Sequence, residues 1–99
     1  MYETMDELMD SVRRRLYRIR DLAEDMAGVR ATETAPGGAM TAEVDGNGAL
    51  LSLHFSREVS RMSPEQFERC LVETTHAAAR RAFERRGELV NAFNEEVAE

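Results

Sequence analysis

The chain has 99 residues and a formal net charge of −6, and all 13 of its basic residues are arginine. Hydrophobic residues make up 42% and charged residues 32%, a balance that predicts one folded, soluble domain and excludes full disorder. No apolar run approaches the roughly 20 residues of a membrane span, and the acidic N-terminus is unlike a signal peptide. We therefore expect a cytoplasmic protein without a membrane partner. The single cysteine excludes an internal disulfide framework and a cysteine-based metal site.

The first predicted element is a helix over residues 1–27. Its apolar residues recur at alternating steps of four and three, the heptad pattern of a helix that packs along another helix. No proline interrupts the segment, and Gly28 stands where a helix commonly ends. This heptad seam comprises Met5, Met9, Val12, Leu16, Ile19, Ala23 and Met26.

A β-meander is predicted over residues 29–56. Residues 29–35 alternate weakly, as an edge strand or an extended lead-in does, and Pro36-Gly37-Gly38 breaks that segment. Strict alternation then predicts a half-buried strand over residues 40–44. The following Asp45-Gly46-Asn47-Gly48 supplies residues that a tight hairpin turn requires, and apolar residues alternate again on the return strand up to residue 56.

A second, long helix is predicted over residues 63–97. Ser63 is a good helix cap, Pro64 suits the first helical position, and Gln66 is placed to close a capping box. Gly87 is expected to loosen or kink the helix without ending it. The sequence therefore predicts a single α+β domain over residues 1–99.

Both helices carry more apolar surface than so small a sheet can cover. We therefore expect a homodimer whose sheet and heptad seam lie at or near the twofold axis. The residues predicted at this interface are Met5, Met9, Val12, Leu16, Ile19, Leu51, Leu53 and Phe55.

Motifs for catalysis or metal binding are weak. Glu73-Thr74-Thr75-His76 has the Glu-x-x-His spacing of metal sites in helical bundles, but the apolar seam offers no facing carboxylates. Asp45-Gly46-Asn47-Gly48 resembles the start of a calcium loop, yet Ser56 occupies the position of the final glutamate. His54 and His76 stand in no serine or cysteine motif. We predict that the protein is not an enzyme and holds no metal or cofactor.

Arginines concentrate in two mid-helix clusters. Residues 11–20 contain five arginines and no acid, and residues 76–86 contain four arginines and one acid, Glu84. Such clusters can contact successive phosphates, an affinity that falls steeply with salt. They can also form an ion-paired, solvated surface, because acids stand one turn away, and both readings stay open. The predicted DNA-contacting residues are Arg13, Arg14, Arg15, Arg18, Arg20, Arg80, Arg81, Arg85 and Arg86.

The order of these parts resembles the YbaB/EbfC family of small bacterial nucleoid-associated proteins. The resemblance covers nearly the whole chain, and its most specific part is the segment Gly38 to Gly48 with the sequence GAMTAEVDGNG. It implies a helix, a short β-meander and a long helix that dimerise into a tweezer-like shape, with DNA bound by the two helices of each arm. His76-Ala77 stands where the family often has Asn-Asp, and the chain ends in acidic residues where many members have a glycine-, methionine- or proline-rich tail. The all-arginine usage is similar to that of actinobacterial relatives.

Residues and resemblance together predict a nucleoid-associated homodimer that binds double-stranded DNA. No set of base-reading residues is evident, so we expect weak sequence specificity. The alternative is a protein-interaction adaptor or chaperone-like accessory protein, for instance one associated with secretion, that does not bind DNA. The negative charge and six methionines favour that alternative, since methionine-bearing surfaces adapt to varied partners. Arginine clusters that merge into one stripe would favour DNA, whereas intervening glutamates would favour the adaptor.

Overall fold

The computed structural model describes residues 4–97. In chain order, one helix precedes and one helix follows a three-stranded antiparallel sheet. The molecule is elongated, with extents of 71 × 18 × 16 Å. Short 3-10 turns precede the second strand and the second helix. The elements are α1 (Met5–Ala27), β1 (Arg30–Thr34), β2 (Met40–Asp45), β3 (Leu50–Phe55) and α2 (Pro64–Val97). This is the α+β architecture that the hydrophobic pattern predicts, except that residues 1–3 of the first predicted helix lie outside the described residues.

The N-termini of both helices are capped by side chains. The Thr4 hydroxyl accepts a hydrogen bond from the Glu7 amide at 3.1 Å at the start of α1. At the start of α2 the Ser63 hydroxyl accepts a hydrogen bond from the backbone N–H of Gln66 at 3.1 Å. In return, the Gln66 side-chain oxygen accepts one from the backbone N–H of Ser63 at 2.9 Å. This is the predicted capping box, and a cap of this kind typically contributes about 1 kcal/mol.

The core lies between α2 and the first two strands. Met40 and Val44 of β2 are the largest fully buried side chains among the described residues. Ala78 and Ala82 of α2 are fully buried and cluster with Ala42 and Val44 of β2. Because alanine has the smallest side chain of the apolar residues here, these two positions let α2 lie close to the sheet.

The inner face of β3 is left largely uncovered. A register shift at Glu43/Val44 places Leu50 opposite Val44, so that Leu50, Leu53 and Phe55 share the α2 side of the sheet. Leu53 packs partly against the core, but Leu50 and Phe55 stay exposed. The strand therefore has an apolar face that its own helix does not close.

The turn between β2 and β3 packs against α2. The Asp45 carboxylate accepts hydrogen bonds from the Asn47 amide at 2.9 Å and the Ala49 amide at 3.0 Å. Gly48 has a φ of +80°, and a Cβ there would lie 3.0 Å from the Phe83 ring. Glycine thus serves this turn both through its backbone freedom and through its lack of a side chain.

Candidate nucleic-acid interface

Most of the heptad seam of α1 lies outside the contact that α1 makes with α2, and only Met26 at its end is half-buried. α1 approaches α2 through Arg18, Leu22 and Asp25, which lie beside Leu89 and Phe93. At about 100° per residue, the seam is about a third of a turn round the helix from that contact. Among the seam residues, Met5 is 69% exposed and Leu16 is 60% exposed. Large apolar surface of this extent is rare on a monomer and marks a contact with another molecule.

A second apolar surface lies where α2 borders β3. The Phe55 and Phe67 rings are 5.4 Å apart at one end, and the Phe83 ring lies against Gly48 at the other. Phe83 is exposed, as is Val72 on the same face of α2. Of the three β3 residues predicted at the interface, Leu51 and Phe55 are exposed and Leu53 is half-buried.

Four of the nine predicted DNA-contacting arginines form ion pairs, three of them exposed and one, Arg81 with Glu33, on a half-buried carboxylate. Arg81 lies 2.7 Å from the Glu33 carboxylate and Arg85 lies 3.1 Å from that of Glu88. On α1 the pairs are looser, at 3.6 Å between Arg13 and Asp10 and 3.9 Å between Arg20 and Glu24. Exposed pairs of this kind contribute little stability, so they hold these arginines only weakly.

Two more predicted arginines are built into the fold. The Arg86 guanidinium donates to the Gly46 carbonyl at 3.1 Å and to the Asn47 side chain at 3.4 Å, which ties α2 to the β2–β3 turn. Arg18 is half-buried near Glu96 where α1 meets α2. Its Nε atom is buried and has no hydrogen-bond partner among residues 4–97. Neither guanidinium is fully presented to solvent.

Replacing Arg86 with alanine is expected to lower the free energy of unfolding by about 1–2 kcal/mol, because the change removes two hydrogen bonds from a charged donor. Arg85→Ala, one residue earlier, removes only an exposed pair and should cost less than about 0.5 kcal/mol. Urea denaturation of the two variants measures the difference. Equal losses would show that Arg86 does not anchor the turn.

The remaining predicted arginines, Arg14, Arg15 and Arg80, are exposed and have no hydrogen bond or ion pair among residues 4–97. The side chains of two other arginines, Arg57 and Arg69, are also exposed and unpaired within residues 4–97. The sequence prediction omits them because neither lies in one of the two arginine clusters. A helical projection does find Arg69, because it stands three turns before Arg80 on one face of α2.

Carboxylates lie among the arginines at the junction of α1, β1 and α2. An open groove of about 980 Å³ there is lined by Arg30, Arg81 and Arg85 together with four acids. The acids are Glu24, Asp25, Glu84 and Glu88. Of the α1 arginines, Arg18 stands near Glu96 in the last turns of α2 instead. Within one chain the two clusters therefore do not merge into a continuous basic stripe.

Residues 4–97 contain no group of three or more histidine, cysteine or acidic side chains placed to hold a metal ion. Within the same range no helix has the length and apolar character to cross a bilayer.

A helix, a three-stranded sheet and a long helix with arginines along both helices define a small α+β protein whose helices form an extended arm. The model of the YbaB/EbfC DNA-binding family matches residues 1–97, and the chain belongs to that family. Membership supports a nucleoid-associated, DNA-binding role. No curated protein matches the chain.

The fold is similar to that of uncharacterized protein HP0035 from Helicobacter pylori, seen in a crystal structure. The two share 19% sequence identity with a TM-score of 0.65, over 95% of this chain and 98% of the other. At that identity the likeness concerns the fold alone.

Proposed function

We propose that the protein acts as a homodimer that binds double-stranded DNA with low sequence specificity in the bacterial nucleoid, inside the cytoplasm. The observation that carries the proposal is the match to a DNA-binding family over residues 1–97. Exposed arginines on both helices supply the chemistry, since guanidinium groups bind phosphate oxygens well.

The uncovered apolar surfaces support the homodimer. The heptad seam of α1 and the α2–β3 border both expose large side chains, and a second copy of the chain offers matching apolar surfaces. In a twofold interface one patch contacts its own copy, so a single sequence can close both faces. The predicted interface residues Met9, Val12 and Ile19 are exposed in the single chain, as such an interface requires.

Phosphate contacts are assigned to the arginines of the two helices. Arg14, Arg15 and Arg80 are the foremost of these because they are exposed and form no ion pair within residues 4–97. Arg13, Arg20, Arg81 and Arg85 can join by leaving their ion pairs, and Arg18 and Arg86 contribute only charge at short range. Contacts to phosphate carry no base information, which agrees with low specificity.

Fluorescence anisotropy with a labelled random-sequence duplex tests the proposal. Binding should be detectable at micromolar protein and low salt. For about four phosphate contacts, affinity should fall about 100-fold between 50 and 200 mM monovalent salt. Duplexes of unrelated sequence should bind within a few fold of one another. Absence of binding at micromolar protein and 50 mM salt would overturn the proposal.

An adaptor function is the second candidate, and the mixed groove at the α1–β1–α2 junction favours it. Four carboxylates and three arginines line the groove together, which suits a protein segment with charges of both signs better than a polyanion. Recovery of one stoichiometric protein from nuclease-treated lysate, together with absent DNA binding, would select this function.

A further inference from the structure

One face of α2 carries side chains that can donate hydrogen bonds, a glycine and a single acid, Glu73. At about 100° per residue its members fall within about 60° of one another round the helix. The arc lies opposite Ala78 and Ala82, which pack on the sheet, so the face points away from the core. We call it the α2 stripe, and its members, all exposed, are Arg69, Glu73, His76, Arg80, Gly87, Asn91 and Asn94.

The side chains of the α2 stripe are unengaged. None of its arginine, histidine or asparagine side chains forms a hydrogen bond or ion pair with residues 4–97. Glu73 lies within the stripe between Arg69 and Arg80, and Glu84 lies at its margin, yet neither is ion-paired with Arg69 or Arg80 among residues 4–97. Arginine and asparagine are among the side chains that commonly contact phosphate oxygens. The donors are therefore free to meet an external acceptor.

No contact within residues 4–97 requires a glycine at position 87. A Cβ at this position would meet no atom within 4 Å. Glycine in an exposed helix interior is less stable than alanine, so the fold gains nothing from it. Its absent side chain does allow an external backbone to come close to α2 midway between Arg80 and Asn94.

The dimensions of the α2 stripe match DNA. At 1.5 Å per residue, Arg69 and Asn94 are about 37 Å apart along the helix, close to the roughly 34 Å of one turn of duplex. The two arginines are about 16 Å apart. A protein partner is less suited to this face, because no large apolar side chain lies within it to form the core of an interface.

We propose that the α2 stripe is the surface that docks on duplex DNA, with Arg69 and Arg80 on phosphates and Gly87 at the closest approach of the backbone. This proposal rests on the DNA-binding function proposed above and extends it to Arg69, His76, Gly87, Asn91 and Asn94.

Anisotropy titrations of a labelled duplex with R69A/R80A test the arginines. Affinity at 50 mM salt should fall about 30-fold, and the slope of log affinity against log salt should lessen by about two. R57A/R61A is the matched control, because it removes the same charge from exposed positions outside α2 and should stay within about threefold of wild type. Circular dichroism should show both variants folded.

The outcomes separate the two proposals. A wild-type protein that binds no duplex overturns the DNA function and the α2 stripe with it. A wild-type protein that binds, with R69A/R80A equal to R57A/R61A, leaves the function standing and overturns the stripe. A third outcome is that R69A/R80A binds DNA as wild type does but no longer captures a protein that wild type captures. That result assigns the stripe to a protein partner and also overturns the proposal.

Gly87→Gln distinguishes docking from stability. Glutamine is a better helix former than glycine, so the melting temperature should rise by about 4 °C. Its side chain carries no charge but obstructs close approach, so duplex affinity should fall about fivefold despite the more stable fold. A Gly87→Gln protein with a raised melting temperature and wild-type affinity would contradict close approach at this position.

Discussion

Replacing Leu16 with glutamate is expected to convert the dimer into a monomer. Leu16 lies in the middle of the heptad seam and is 60% exposed in the single chain, and in the proposed homodimer a second copy covers it. Burying an unpaired carboxylate at such a position costs roughly 4 kcal/mol, which weakens dimer association about 1000-fold. Sedimentation equilibrium over a range of protein concentrations measures the change.

Tyr17→Glu is the matched control for that experiment. Tyr17 is the next residue of α1 and is also exposed, but the helix turns it away from the seam and Arg20 lies 5.1 Å from its ring. The control should remain a dimer. A wild-type protein that sediments as a folded monomer, or a Leu16→Glu protein that associates as tightly as wild type, would remove the seam from the interface.

Truncation of Met40 to alanine is expected to lower the free energy of unfolding by about 2–5 kcal/mol. Met40 is only 1% exposed and is one of the two largest fully buried side chains among the described residues. Its loss leaves a cavity between β2 and α2 that so small a core cannot refill. Such a loss is a large part of the 5–15 kcal/mol that a whole domain typically has.

Urea denaturation of Met40→Ala beside Met62→Ala tests this expectation. Met62 is half-buried and follows the 3-10 turn before α2, so its truncation should cost less than about 1.5 kcal/mol. Similar losses in the two variants would show that the face between β2 and α2 is not the main core of the protein.

Local signals in the sequence account for most of the fold. The heptad seam, the capping box at Ser63 and Gln66 and the strand alternation each depend on neighbours within a few residues. The register shift at Glu43/Val44 was not predicted, because an extra residue in a strand follows from pairing across the sheet. It decides that Leu50 joins the apolar face of β3.

The candidate site was less predictable than the fold. Arg86 belongs to an arginine cluster in the sequence, yet its partner Gly46 stands 40 residues earlier in the chain. Such a contact depends on how α2 crosses the sheet, and the residue pattern within one helix does not determine that crossing. The sequence prediction omits Arg69 for the opposite reason, since Arg69 lies outside both arginine clusters and joins Arg80 only through its angle round the helix.

Sedimentation velocity of the protein with a fluorescent duplex, followed at both the protein and the dye wavelength, tests the central claim most directly. We expect the duplex to sediment with two protein chains per bound unit at 50 mM salt, and to be released as salt rises to 200 mM. A duplex that sediments alone beside micromolar protein at 50 mM salt would contradict a dimeric DNA-binding protein.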